Sequence, residues 1–194
     1  MRVGHGRLLQ SVLYGMAKAS LGDLERALHG DKERASAPAF CGDIDMRIAR
    51  DGTWFYHGSP ISRKPLVKLF ATVLSRDDHG DYWLTTPVER CRIRVDDAAF
   101  VAIDMNATGE GKAQQVSFTT NVDDTVIAGP EHPIRIVHDS ATGEPTPYIH
   151  VRDRLEALIA RPVYYRLVDI AVERGEALGV WSSGVFFSLG KVDA

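Results

Sequence analysis

Apolar positions in this chain follow two periods, and the switch between them outlines its elements. Leu66, Leu69, Phe70, Val73 and Leu74 fall at i, i+3, i+4, i+7 and i+8, which predicts one buried helical face. Ser62 stands at the N-cap position and Pro65 in the first turn, where a missing N–H costs nothing. Upstream, Ile44, Met46 and Ile48 alternate with Asp45 and Arg47 as in a half-buried strand. Asp51-Gly52 supplies a hairpin turn, and Trp54-Phe55-Tyr56 opens the return strand, which Ser59-Pro60 ends. Tyr82-Trp83-Leu84-Thr85 and the alternating Arg90 to Val95 read as strands after the helix. Phe100 to Met105 and Val116 to Thr120 flank a Gly109-Glu110-Gly111 loop as an antiparallel meander, and Thr125-Val126-Ile127 adds a further strand.

The last third repeats this order. Ile134-Arg135-Ile136 and Tyr148 to Val151 are predicted strands around a Thr142-Gly143 turn. Leu155 to Ile159 is expected to start a helical turn. Pro162 then opens a main helix whose apolar face is Tyr164, Leu167, Val168, Ala171 and Val172. Val180-Trp181-Ser182 and Val185 to Leu189 close the chain as strands. A shift of 98 positions maps Arg63 onto Arg161, the first helix stripe onto the second, and Trp83 onto Trp181. That register predicts an α+β fold made of two tandem related units, each hairpin–helix–strand with antiparallel sheets. The expected boundaries are an N-terminal helical extension and linker over 1–38, a first domain over 39–130 and a second over 131–194. Within the extension, Leu9, Val12, Leu13 and Met16 share a helical stripe, and Ser20-Leu21-Gly22-Asp23 opens a short helix to Leu28.

The 194 residues carry 44% hydrophobic and 25% charged side chains, enough for packed cores. The formal net charge of -3 excludes an overall basic field for a nucleic acid polymer. No apolar run reaches the roughly 18 residues of a membrane span. Gln10 and Ser11 interrupt the apolar stretch behind Arg2 and Arg7, so a signal peptide is not the reading, and a second one takes Met16 as initiator. The location expected from this is cytoplasmic. Cys41 and Cys91 form no C-x-x-C, and two reduced, mostly buried thiols not bonded to each other are expected.

Catalytic motifs fail on inspection. Neither serine of Gly179-Val180-Trp181-Ser182-Ser183-Gly184 has glycine two before and two after. The Gly109 loop is followed by strand, not helix, so it is no dinucleotide fingerprint. Asp43 and Asp45 share a strand face, but ion pairs with Arg47 or Arg135 compete with a cation there. No metal, cofactor or catalytic residue is assigned. Arg90, Arg92 and Arg94 share one strand face, either solvated and acid-paired or anion-facing. Arg63 and Arg161 open helices, where positive charge is unfavourable unless an anion compensates it.

Phe40 to Ile48, Gly52-Thr53-Trp54 and Gly58-Ser59-Pro60-Ile61 resemble the opening of the bacterial "domain of unknown function 1285" family. Tyr82 to Val95, Thr120 to Asp124, Gly129 to Pro133, Tyr148 to Arg152 and Gly179 to Gly184 continue it, so the resemblance runs from about Phe40 to Leu189. It implies a duplicated α+β fold whose C-terminal half is similar to pleckstrin-homology-like domains, a signalling role, and a nucleotide-like ligand between the halves. The expected function is thus a sensor that binds a small, anionic, nucleotide-like molecule. The site residues are Arg63, Asn121, His150, Arg152, Trp181, Ser182 and Ser183. Arginine forks would hold phosphate and Trp181 would stack. The alternative is a protein-interaction adaptor whose partner covers that surface, and an unrecognised hydrolase is a third reading.

Overall fold

The computed structural model describes Gly22, Glu25, Arg26, 38–87 and 89–191. The expected Leu9–Met16 stripe lies outside these residues, as do most of the Ser20–Leu28 helix and of the 31–38 linker. The chain is mostly β and divides into two compact units. Unit 1 holds the residues up to Ala49 with Thr53–Asp96, and unit 2 holds Arg50–Gly52 with Asp97 onward. The expected boundary at 130 therefore moves to Asp96/Asp97.

Unit 1 is one six-stranded sheet built from two meanders. β1 (Ala39–Ile48), β2 (Trp54–Tyr56) and β3 (Ser59–Pro60) form the first. β4 (Leu74–Arg76), β5 (Tyr82–Thr85) and β6 (Glu89–Val95) form the second. The order β3-β2-β1-β6-β5-β4 joins them through one parallel pair, β1 with β6. α1 (Lys64–Thr72) connects the meanders. Its buried face is Leu66, Leu69, Phe70 and Ala71. Phe70 stacks on Trp54 with ring centroids 6.2 Å apart. Arg63, not Ser62, is the N-cap, and no side chain caps the helix. Val73 and Leu74 are buried as expected, but the helix stops before them and Leu74 starts β4.

Unit 2 repeats the strand plan. β7 (Phe100–Thr108), β8 (Gln115–Thr120) and β9 (Thr125–Ile127) make one meander. β10 (Ile134–His138), β11 (Pro145–Arg152) and β12 (Leu155–Ile159) make the other. The order β10-β11-β12-β7-β8-β9 again places the first strand parallel to the last, here β7 with β12. Each sheet is thus antiparallel except for one central pair. α2 (Arg161–Asp169) follows β12 and leads to a separate antiparallel sheet, β13 (Val172–Arg174), β14 (Ala177–Ser182) and β15 (Val185–Lys191). Leu155 to Ile159 is strand β12, not a helical turn. Leu155, Ala157 and Ile159 are buried at period two, which a helix would scatter around its axis. α2 ends at Asp169, so Val172 of the expected stripe is an exposed strand residue, and the buried helix positions are Val163 and Leu167.

The 98-residue register and the sheet plan are two different repeats. The register pairs α1 with α2, and it carries β4 onto β13 residue for residue. It fails at the tryptophans. Ser75 pairs with Trp83, whereas its counterpart Glu173 pairs with Leu178, three residues before Trp181. The five-residue turn Asp77–Asp81 has become a two-residue turn, Gly175–Glu176, which slides the return strand. The sheets repeat β1–β6 as β7–β12, and in that frame α1 has no helical counterpart, because 128–133 joins β9 to β10 without one.

Cys41 and Cys91 are joined in a disulfide with Cα atoms 5.2 Å apart, and the expected reduced thiols are corrected accordingly. Phe40 pairs with Arg90 and Gly42 with Cys91, so Cys41 is the extra residue of a bulge in β1. Parallel pairing of two strands 50 positions apart is what brings the sulfurs together, and no local spacing announces it. A cross-link over that distance restricts the unfolded chain strongly. Reduction in the presence of a chelator is expected to lower the unfolding free energy by about 2–4 kcal/mol in urea titrations. Native protein should show no titratable thiol before reduction; an unchanged midpoint after it would contradict the cross-link.

Candidate functional site

Where β12 ends, the chain turns at Ala160 into α2, and its N–H donates to Ala102 O of β7 at 3.0 Å. Beside this corner unit 2 holds a cavity of about 590 Å3. Arg161, Tyr164 and Tyr165 line it from the helix, Pro145 and Pro147 from β11, and Leu158 from β12. The β10–β11 loop adds Asp139 and Glu144, and the segment Arg50–Gly52 adds Arg50. The size suits a small organic molecule.

Charge in the cavity is matched by local partners. Arg161 donates to the Glu144 carboxylate, with both side chains more than half exposed. Arg50 lies 3.0 Å from Asp97. Burial pushes the Tyr164 phenol up, and its hydroxyl donates to Leu189 O at 3.4 Å. Tyr165 is 58% exposed. The N–H groups of Thr142 and Ala141 and the Thr142 hydroxyl all donate to Asp139, which holds its carboxyl below the usual range.

None of the seven expected site residues lines this cavity. Arg63 is an exposed residue of unit 1. In unit 2, Asn121 is a structural clip. Its Oδ1 accepts from Val101 N at 3.0 Å and its Nδ2 donates to Gly52 O at 3.2 Å. Gly52 has φ +82°, and a Cβ there would lie 2.5 Å from Asn121 Nδ2, so conformation and contact both require glycine. Ser182 is fully buried; its hydroxyl donates to Ala128 O and accepts from Val116 N. That double use commits the hydroxyl to two backbone partners. His150 directs Nδ1 at Glu131 O and Nε2 at Asp153 O. Arg152 pairs with Asp124 at 3.0 Å and covers the Phe100 ring. Trp181 is half-buried, with the Lys112 and Arg174 cations at its ring, and packs edge-on against Phe186. Ser183 is exposed at φ +51°, its N–H donating to Gln114 O.

The arginine strip of β6 is mostly acid-paired. Arg92 grips Asp43 with two donors at 2.7 and 2.9 Å, and Arg90 lies 3.5 Å from Asp77 and over the Trp83 ring, 3.9 Å from its centroid. Asp45 faces His57 at 3.2 Å. Of the two partners expected for the Asp43–Asp45 face, Arg47 goes to Asp96 and Arg135 to Glu156. What sequence reasoning missed is Arg50, Tyr165 and the Pro145–Pro147 wall. Arg161 was noticed as a helix-start cation, but only the path of β10–β11 brings Asp139 and Glu144 to it.

Comparison with known proteins gives one family. Residues 35–98 match "Domain of unknown function (DUF1285), N-terminal domain", and residues 99–189 match "Protein of unknown function (DUF1285), C-terminal domain". The chain is similar to the crystal structure of a DUF1285 family protein from Silicibacter pomeroyi DSS-3. The two are 49% identical over 89% of this chain and 96% of that one, with a TM-score of 0.79. A DUF1285 family protein from Shewanella baltica OS155 shares the fold at 23% identity and a TM-score of 0.51, over 65% of this chain and 91% of that one. No curated protein matches.

Two outcomes follow from these geometries. Ser182→Ala leaves the buried Val116 N–H without its acceptor and is expected to cost about 1–3 kcal/mol in chemical denaturation. A neutral result would mean that the hydroxyl has no structural work. Asp139 favours its ionised form in the fold, so its stabilising effect is complete above pH 3.8 and disappears as the pH falls below that, through the lowered folded value. A carboxyl NMR titration of Asp139 should give a midpoint under 3.8; one at or above it would contradict the turn's hydrogen bonds.

Proposed function

The chain belongs to the DUF1285 family, and from that premise we propose that it is a small-molecule-binding protein with a signalling or sensor role. We place its ligand in the cavity at the start of α2. The observation that carries this reading is the convergence of Arg50, Arg161, Tyr164 and Tyr165 on one cavity of about 590 Å3. Two guanidinium groups with two phenol rings suit a molecule with an anionic group at one end and a flat ring at the other, which is the chemistry of a nucleotide. Glu144 occupies the fork of Arg161 in place of the ligand anion. An ion pair this exposed is worth little, so a phosphate gripped by two donors replaces it at low cost. Asp139 and Glu144 then accept from the ligand's own donors.

The family is also read here as α+β, with a C-terminal half similar to pleckstrin-homology-like domains. Support comes from the amphipathic helix that each unit adds to its antiparallel meanders. Among the described residues no helix is long and apolar enough to cross a membrane. The reading keeps the expected cytoplasmic location, and there a disulfide is a redox-poised pair more often than a permanent strut. The adaptor alternative draws less support. The exposed large apolar side chains Phe40, Ile103, Ile127, Val137, Tyr165 and Val172 sit on six different elements.

Thermal-shift screening with mono- and dinucleotides tests the proposal. A ligand present at a hundred times its dissociation constant should stabilise the fold by about 2.7 kcal/mol. Arg161→Ala should weaken that ligand by roughly 1.5–3 kcal/mol, the worth of a charged hydrogen bond, with Tyr165→Ala acting in the same direction. No shift from any nucleotide, or a shift that Arg161→Ala leaves intact, would remove the pocket as the site.

A further inference from the structure

Unit 1 carries a cluster that the proposed ligand pocket does not use. The sulfurs of Cys41 and Cys91 and a carboxylate oxygen of Glu89 all lie within 4.8 Å of one another, the one such group of metal-ligating atoms among the described residues. Its construction follows from the strands. Glu89 and Cys91 are two apart on β6, so they face the same side of the sheet. They are 2% and 0% exposed. Cys41, the bulge residue of β1, reaches the same spot from the neighbouring strand and stays half-buried. Thr86 anchors Glu89 at the start of β6: its hydroxyl and its N–H donate to Glu89 O, and the hydroxyl accepts from Glu89 N.

In the disulfide form the two sulfurs are neutral and the carboxylate is the only anion of the three. Reduction changes the chemistry. It sets two thiols beside a buried carboxyl group, where like charges at this separation would oppose one another. Two thiolates and one oxygen are, however, a donor set for a borderline-soft divalent ion of the zinc class, with the fourth position open to water on the Cys41 side.

We propose that Cys41, Glu89 and Cys91 form a redox-gated site for a thiophilic divalent cation, filled in the reduced protein and emptied by disulfide formation. The step balances. An external dithiol cleaves the S–S bond, passes two electrons and two protons to the cysteines, and leaves as its own disulfide. Cation binding then releases the two thiol protons as two metal–sulfur bonds form. In the reverse direction a disulfide oxidant takes the electron pair from the two sulfurs, collects two protons from water and leaves as a dithiol. The Cys41–Cys91 bond closes and the cation departs.

Titration with Co2+ as a spectroscopic probe, followed by Zn2+, decides the matter on the full chain. After anaerobic reduction and removal of reductant, one Co2+ per chain should bind with a thiolate-to-metal charge-transfer band that Zn2+ abolishes. The oxidised protein should show no such band. Glu89→Gln keeps the shape of the side chain and should weaken the reduced site about tenfold or more, as loss of a ligand does at least as much as loss of an outer partner. Circular dichroism of reduced Glu89→Gln without metal controls for folding. Absence of the band in reduced wild type, an equal band in oxidised protein, or an unchanged affinity in folded Glu89→Gln would each overturn the three-donor site.

Discussion

Each unit depends on one parallel strand pair. Three-stranded meanders form from neighbouring residues and need little more than turns and alternation. Joining two of them into a six-stranded sheet requires their first and last strands to meet side by side, β1 with β6 and β7 with β12. Those contacts close long loops, which costs entropy before any burial is gained. The two pairs meet that cost differently. β1/β6 runs through six paired positions and carries the Cys41–Cys91 bond. β7/β12 has only three, Phe100 with Ala157, Val101 with Leu158 and Ala102 with Ile159. Five of those six side chains are buried. Apolar burial supports the second join, and a covalent bond adds to the first.

The joins also set the sites. Because β12 stops against Ala102, the backbone leaves the sheet at Ala160 and α2 starts with Arg161 and its tyrosines over the β10–β11 loop. Because β1 bulges at Cys41, the parallel register slips by one and a sulfur faces Glu89 and Cys91. A bulge in unit 1 and a strand end in unit 2 thus bring these side chains together.

Ion pairs here follow the sheets and not the chain order. Asp43 with Arg92 and Arg47 with Asp96 each span 49 positions, and Arg166 with Asp104 spans 62. These pairs are largely exposed and contribute little individually. The first of them occupies Arg92, one of the arginines that appear, in the sequence, as an anion-binding strip.

Period-two and period-3.6 patterning in this sequence determined most strands from Ile44 to Leu189 and both helices, though not β4, β12 or β13, because alternation on a pleat and a helical stripe are properties of adjacent residues. Residue identities, not periodicity, carried the resemblance to the family, which the family comparison shows. Leu155 to Ile159, five residues with apolar ends, satisfies a helical turn and a strand alike, and pairing with β11 and β7 selects the strand. The tertiary structure alone decided the disulfide, the boundary at Asp96 and the cavity. Asn121, Ser182 and Arg152 illustrate the reason. Their side chains are suited to ligands, but their partners Gly52, Val116 and Asp124 are supplied by pairing and turns elsewhere in the fold. Whether a polar side chain is occupied depends on which strand lies beside it, and that is a long-range contact with no trace in local spacing.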